Sequence, residues 1–284
     1  MSIHETHIER ADRAAAKRLA DTESPFSIEV EFLGGLTETQ KSAFKDAAHR
    51  WTRVIVGDLP DVVIGDRIVD DLLVQAEGKL IDGPGGTLGE TGPTRLRPGP
   101  GPSKFLPATA LMSFDQADLA AMEATGTLVD VITHEMGHAL GIGSVWSRKH
   151  VLRGAGTHNP TFVGPNAQRE FAALLDGGAP RPVPVENTGG PGTADSHWRE
   201  SVFDNELMTG FVGRAGNPLS RLTVASLQDL GYVVDVDAAD QYALPNHLEL
   251  AVSGRLRTRT APIDIGVVVP TVPEMLPADS LQAA

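Results

Sequence analysis

Two histidines and one glutamate stand close together at residues 134–141, where the letters are HEMGHALG. His134 and His138 are four positions apart, about one helical turn, so both imidazoles leave the same face of a helix. That spacing allows the two rings to bind one zinc ion. Glu135 then lies beside the metal, where its carboxylate can take a proton from a zinc-bound water. The pattern therefore predicts a catalytic zinc site.

The residues around this run predict the helix that carries it. Thr127 with Asp130 three positions later is typical of a capping box, and Gly141 is typical of a helix end. Four apolar side chains at helical spacing predict a stripe that packs on a sheet. They are Val129, Ile132, Met136 and Leu140. We therefore expect a metal face and a separate core face on one helix.

The composition is that of an ordinary globular protein with an acidic balance. The 284 residues include 24 basic and 37 acidic side chains, for a formal charge of −13. This charge argues against nucleic acid and anionic membranes as partners, and no apolar run of about 18 residues predicts a membrane span. Cysteine is absent, which excludes disulfides and thiolate zinc ligands. Residues 1–21 lack the apolar core of a standard signal peptide, so we expect a cytoplasmic or non-classically secreted protein.

Apolar patterns in the first half predict a sheet followed by the metal helix. The expected strands are 26–33, 61–65, 72–81 and 109–114, with a short edge strand at 87–91. Thr37 and Gln40 predict a capping box that opens a helix reaching about residue 56. Its expected buried positions are Phe44, Ala47, Ala48, Trp51 and Ile55. This order of elements is typical of an α/β fold with a twisted, mostly parallel sheet.

We divide the chain into four parts by composition and pattern. These are a polar, partly helical lead-in (1–24), an N-terminal catalytic subdomain with the metal helix (25–141), a loop-rich C-terminal subdomain (142–245) and an extension (246–284). In the loop-rich part, helices are expected at 166–175 and at 222–230, the second closed by Gly231.

A catalytic zinc needs three protein ligands and one open position, so a third ligand must come from outside the helix. A histidine three residues after Gly141 would be the compact solution, but that position is Ser144. The downstream candidates are His150, His158, His197 and His247, together with Glu170. His197 stands in the run DSHWRE, 11 residues before Met208 in the run NELMTG.

These motifs together resemble the leishmanolysin family of zinc endopeptidases, in the metzincin clan. The histidine motif, the HW pair and the NELMTG run follow in the family's order, with a long insertion at 142–196. The resemblance implies a metzincin-like α/β (α+β) fold with an antiparallel edge strand. It also implies one zinc ion bound by His134, His138 and His197. Met208 would lie in a turn beneath the metal, and Gly141 would let the chain turn away after the helix.

The resemblance further implies hydrolysis of peptide bonds without a covalent intermediate. Glu135 would activate the zinc-bound water, the hydroxide would attack the substrate carbonyl, and Glu135 would then protonate the departing amine. A polypeptide substrate would add a strand along Thr87, Leu88 and Gly89. Trp198 would pack beside the site or serve as plain core.

Two features depart from the family pattern. The family's eukaryotic members are disulfide-rich and secreted, whereas this chain has no cysteine. The tyrosine that astacin-like relatives carry two residues after the methionine is Gly210 here. Neither departure affects the three histidines.

Two other functions stay open from the sequence. In one, the chain is a catalytically silent metzincin that binds zinc and a peptide, although a structural site does not need Glu135. In the other, it is a metal-dependent amidase that acts on a small molecule. A long groove beside the edge strand would favour the protease, and a closed pocket would favour the amidase.

Overall fold

The computed structural model describes residues 4–83, 85, 88–190, 192–210, 216–246 and 272–282. Both strands and helices occur in these ranges. The strands in these ranges are β1 (Glu5–Arg10), β2 (Ser27–Gly34), β3 (Val62–Ile64), β4 (Arg67–Val69), β5 (Leu72–Lys79), β6 (Gly89–Leu96), β7 (Pro107–Asp115), β8 (Leu152–Arg153), β9 (Thr161–Phe162), β10 (Val183–Pro184) and β11 (Glu274–Met275). The helices are α1 (Arg13–Ala20), α2 (Glu38–Val54), α3 (Gln116–Thr125), α4 (Leu128–Ala139), α5 (Pro165–Leu174), α6 (Glu200–Phe203) and α7 (Arg221–Leu230).

The main sheet is mixed and mostly parallel, as predicted. Its six strands run in the order β1-β2-β5-β7-β6-β11. The pairs β2/β5, β5/β7 and β6/β11 are parallel, whereas β1/β2 and β6/β7 are antiparallel. The antiparallel strand β6 is therefore not the outermost strand, because β11 pairs with its end at Arg95 and Leu96.

The predicted lead-in contains a strand that the sequence did not reveal. β1 pairs antiparallel with β2 at the edge of the sheet, and α1 follows it. The side chains of β1 are exposed or half-buried along its whole length. Such a strand needs no buried apolar face, so the letters ETHIER lack a clear apolar alternation.

The helix α2 confirms its predicted capping box and buried positions. The Thr37 side chain accepts from the Gln40 amide, and the Gln40 side chain accepts from the Thr37 amide. All five predicted core residues are buried. Among them, the Trp51 indole donates to the Thr133 carbonyl oxygen at 2.9 Å, which attaches α2 to α4.

The helix α4 carries the histidine motif, but two expectations about it are wrong. Thr127 has helical backbone angles and makes no capping bond with its side chain. Asp130 instead accepts from the Gly216 amide at 2.6 Å, because the chain after 215 folds against this helix end. Val129 is 40% exposed, and Val131 is the residue of this turn that is buried in the core. The helix is buried around most of its circumference, so it has no simple division into two faces.

The second half is loop-rich, as predicted, and contains a small sheet with the order β10-β9-β8. The helices α5 and α7 match the predictions at 166–175 and 222–230 to within one residue at each end. Ser220 caps the start of α7, and Gly231 ends it with φ +111°. The short helix α3, between β7 and α4, was not predicted. No helix in the described ranges is long and apolar enough to cross a membrane.

A buried arginine connects the β3–β4 hairpin region to the main sheet. The Arg97 side chain is fully buried directly after β6. It donates to four backbone carbonyl oxygens at 2.5–3.0 Å, those of Pro60, Asp70, Asp71 and Pro107. Only the planar guanidinium offers enough donors in fixed directions for this arrangement.

Replacing Arg97 with lysine is expected to lower the free energy of unfolding by about 2–3 kcal/mol, because buried carbonyl oxygens lose their donors. Urea unfolding followed by tryptophan fluorescence measures the loss. Arg95→Lys, at a half-buried position of β6, is the control and should cost less than about 0.5 kcal/mol. Equal losses in the two variants would contradict the role assigned to Arg97.

Candidate active site

The structure brings three histidines together at one point in the core. His134 and His138 come from α4, and His197 comes from the loop that precedes α6. Their three Nε2 atoms lie 3.0–3.1 Å from one another. All three rings are buried, with at most 2% of any one residue exposed. His197 is thus the only predicted third-ligand candidate in the described ranges that joins the helical pair.

Backbone carbonyls fix the orientation and the tautomer of each ring. The Nδ1 atoms of His134, His138 and His197 lie 2.7, 2.8 and 2.9 Å from the carbonyl oxygens of Leu207, Ile142 and Thr193, respectively. A carbonyl oxygen only accepts, so each Nδ1 carries the hydrogen and each neutral ring has a bare Nε2. Three lone pairs therefore point at the same place.

This arrangement fits a bound divalent metal. Three bare nitrogens at 3.0–3.1 Å repel one another unless a cation lies between them. In a tetrahedral zinc site with Zn–N bonds of about 2.0–2.1 Å, two ligand nitrogens are about 3.3 Å apart. Burial, followed by the neighbouring imidazole, lowers the pKa of all three histidines to about 3, which keeps the rings neutral. Neutral imidazoles are the form that binds metals.

Glu135 is a buried carboxylate without a hydrogen-bond partner in the described part of the chain. It is 2% exposed, and neither carboxylate oxygen is satisfied. Burial raises its pKa to about 8, while the nearby Thr91 hydroxyl of β6, which itself makes no hydrogen bond within the described residues, acts in the opposite direction. An unpaired buried carboxyl group is costly, and such groups are typical of functional sites. Thr91 belongs to the predicted 87–91 strand, but nothing local in the sequence shows that its hydroxyl lies near Glu135.

Met208 lies against the backbone of α4. Its side chain is fully buried, and its carbonyl oxygen accepts from the Trp198 amide at 2.9 Å. A Cβ atom placed on Gly137 would be only 2.7 Å from the Met208 sulfur. The turn at Met208 therefore packs directly on α4, and the glycine inside the histidine motif makes that approach possible. The sequence showed Gly137, but not the contact that requires it.

Two glycines after α4 shape the rest of the site. Gly141 has φ +110° and ends the helix, as predicted, so that the Ile142 carbonyl turns back to His138. Gly143 has φ +72°, and a Cβ there would be 2.1 Å from the Ser196 carbonyl oxygen. The segment after the helix thus passes against the residue before His197. No local pattern in the sequence marks Gly143, because this contact joins residues far apart in the chain.

The other predicted candidates lie elsewhere or outside the described residues. His150 and His158 are exposed, and Glu170 accepts from the Arg221 guanidinium at 3.2 Å. His247 and Thr87 lie outside the described residues. Leu88 and Gly89 are buried where β6 begins, and the Leu88 carbonyl oxygen accepts from the Asp115 amide.

A family comparison covers the site. The model of the leishmanolysin family, peptidase M8, matches residues 103–249, slightly more than half of the chain. The chain belongs to the leishmanolysin family. The matched region of this leishmanolysin-family chain runs from before β7 past α7 and includes all three histidines, Glu135 and Met208. The leishmanolysin family is a family of metallopeptidases.

Two relatives match a shorter segment. The leishmanolysin-like peptidases of Caenorhabditis briggsae and Caenorhabditis elegans are each 47% identical to this chain over 49 residues. That segment is 17% of this leishmanolysin-family chain and only 7% of either relative.

Because Gly143 lies so close to Ser196, a side chain at this position should lower the stability of the protein. A second glycine with the same φ serves as the control for backbone strain alone. Gly143→Ala should destabilise the protein by about 3 kcal/mol or more, because strain at positive φ adds to the collision. Gly156 has the same φ of +72°, and a Cβ added to it would meet no atom within 4 Å, so Gly156→Ala carries strain alone, about 1–2 kcal/mol. Thermal unfolding compares the two variants, and equal shifts in Tm would show that the approach to Ser196 is unimportant.

Proposed function

We propose that this chain is a zinc-dependent endopeptidase with His134, His138 and His197 as metal ligands and Glu135 as the catalytic base. The observation that carries the proposal is the convergence of three bare Nε2 atoms, with the unpaired buried carboxylate of Glu135 next to His134 in the chain. Three nitrogen ligands with one open position are typical of catalytic zinc sites. Membership in the leishmanolysin family supports the same conclusion.

Each residue of the proposed site has a defined task. A bound zinc ion would supply Lewis acidity, which lowers the pKa of a water and polarises the scissile carbonyl. Glu135 takes the proton from the attacking water and passes it to the amide nitrogen that leaves. A base pKa near neutrality suits this shuttle, and burial raises the pKa of Glu135 in that direction. The three backbone carbonyls hold the imidazoles in the ligating tautomer, and Met208 supports the helix from beneath.

The substrate would be an extended polypeptide that runs beside β6. We propose that it adds a strand near Leu88 and Gly89, with Thr87 continuing the same segment. The described strand β11 pairs only with the other end of β6, at Arg95 and Leu96. The proposed fold is the metzincin fold, with the 142–196 segment as the insertion that separates Gly141 from the third ligand.

One observation favours a second candidate, a metal-dependent amidase that acts on a small molecule. The three histidines and Glu135 are almost completely buried, and an enclosed site suits a small substrate better than an extended chain. Assays on casein and on small acylated amines separate the two activities. A catalytically silent zinc protein is a weaker candidate, because Glu135 is present and has no structural hydrogen bond in the described part.

The wild-type protein is expected to contain about one zinc ion per chain, and His197→Ala should lose it after dialysis. Two imidazoles from one helix bind zinc too weakly to retain it, so removing the third ligand removes the metal. Elemental analysis measures the content. His158→Ala, an exposed histidine of the same subdomain, is the control and should keep the full content. Zinc retained in His197→Ala would exclude this residue as a ligand.

Glu135→Gln is expected to keep zinc while casein hydrolysis falls at least about 10²–10⁴-fold, because the amide cannot take a proton from water. Glu170→Gln is the matched control, since its carboxylate pairs with Arg221 and is the alternative third ligand in the sequence. That variant should keep both zinc and activity. Hydrolysis by the zinc-loaded Glu135→Gln protein at the wild-type rate would remove Glu135 from the mechanism.

A further inference from the structure

A second buried glutamate lies in the segment whose Leu207 carbonyl contacts His134. Glu206 is two residues before Met208 and is completely buried. Its Oε2 accepts from the Met208 amide at 2.6 Å. Its Oε1 accepts from the Ser220 amide at 3.2 Å, the Ser220 hydroxyl at 2.6 Å and the Thr223 hydroxyl at 2.5 Å. The carboxylate thus joins the Met208 turn to the start of α7.

All four of these partners act as donors. The Thr223 hydroxyl accepts from the Trp198 indole at 2.7 Å, so its own hydrogen is free to point at Glu206. The Ser220 hydroxyl likewise accepts from the Thr223 amide at 3.3 Å. Burial raises the pKa of Glu206, and the bonds from Ser220 and Thr223 act against that shift. Four donors therefore surround a side chain that must accept hydrogen bonds and donate none, as an ionised carboxylate does.

Two short paths lead from this carboxylate to the histidines. Along the first, the turn that Glu206 holds presents the Leu207 carbonyl oxygen to the Nδ1 of His134 at 2.7 Å. Along the second, Thr223 connects Glu206 to Trp198, the residue directly after His197. The Trp198 amide also donates to the Met208 carbonyl oxygen at 2.9 Å. One carboxylate is therefore connected both to the turn that holds His134 and to the residue next to His197.

We propose that Glu206 is a positioning residue that sets the metal affinity of the site by fixing the backbone that orients His134 and His197. The proposal rests on the proposed function, because it requires that the three histidines bind zinc. Glutamine has the same size as glutamate, but its amide group would bring a donor against donors. The turn at Leu207 and the indole of Trp198 would then have to shift, and the Nε2 atoms would no longer all point to one metal position.

The test measures zinc affinity in the full chain by competition with a chelator. Glu206→Gln should bind zinc about 10–100-fold more weakly than the wild type, the range typical of groups that orient metal ligands. The visible spectrum of the cobalt-substituted protein should change as well, since it reports ligand geometry. Both readouts are independent of peptidase activity.

A matched control separates this role from ordinary stability. Asp71 is another fully buried carboxylate that accepts from backbone amides, those of Ser27 and Leu59, and within the described ranges none of its side-chain hydrogen bonds reaches the histidine segments. Asp71→Asn should lower Tm but keep the wild-type zinc affinity and cobalt spectrum. If Glu206→Gln behaves in the same way, Glu206 is a structural residue only and the proposal is wrong.

A milder variant keeps the test decisive if Glu206→Gln does not fold. Thr223→Val removes only the hydroxyl between Trp198 and Glu206, so zinc affinity should fall in the same direction by a smaller factor. Ser226→Ala is its control, because that buried hydroxyl donates to the Thr223 carbonyl oxygen within α7. Unchanged affinity in Thr223→Val would overturn the proposal. A wild-type protein that binds no zinc would instead refute the proposed function itself.

Discussion

Each of the three buried imidazoles presents a lone pair to the other two at 3.0–3.1 Å, and a cation between them makes that arrangement favourable. The surrounding structure is organised to keep this geometry. Three backbone carbonyl oxygens hold the Nδ1 hydrogens, so no ring can turn its hydrogen inward. These carbonyls belong to three separate segments, and the site therefore depends on how the segments pack.

Backbone segments pack closely against one another at glycines, because glycine has no side chain to separate them. Gly137 allows the Met208 thioether to lie against the metal helix, and Gly143 allows the chain after the helix to pass the Ser196 carbonyl. Gly141 provides the positive φ that turns Ile142 back to His138. A side chain at any of these positions would separate the segments that supply the carbonyls. The loop-rich second half is thus held to α4 by contacts that are specific in shape.

Two buried glutamates near the site have opposite environments. The Glu135 carboxylate has no hydrogen-bond partner among the described residues, so it is available to exchange a proton with a substrate or water. The Glu206 carboxylate accepts four hydrogen bonds, so both of its oxygens are engaged in holding the structure. Burial raises the pKa of both carboxyl groups, so hydrogen bonding is what distinguishes their two environments.

The amino-acid sequence by itself determined most of the local elements and the three histidines that come together. Helical spacing placed His134 and His138 on one face, Thr37 and Gln40 marked the start of α2, and the order of motifs pointed to the family and to His197. These features depend on residues within one or two helical turns of each other, so they could be predicted from short stretches of sequence. Only the tertiary structure decided that the Leu207 carbonyl holds the His134 imidazole, why Gly143 must be glycine, that β1 extends the sheet, and that Asp130 bonds to residue 216 instead of capping its helix. Those features join residues tens of positions apart, and their energies depend on packing distances that no short stretch of sequence encodes.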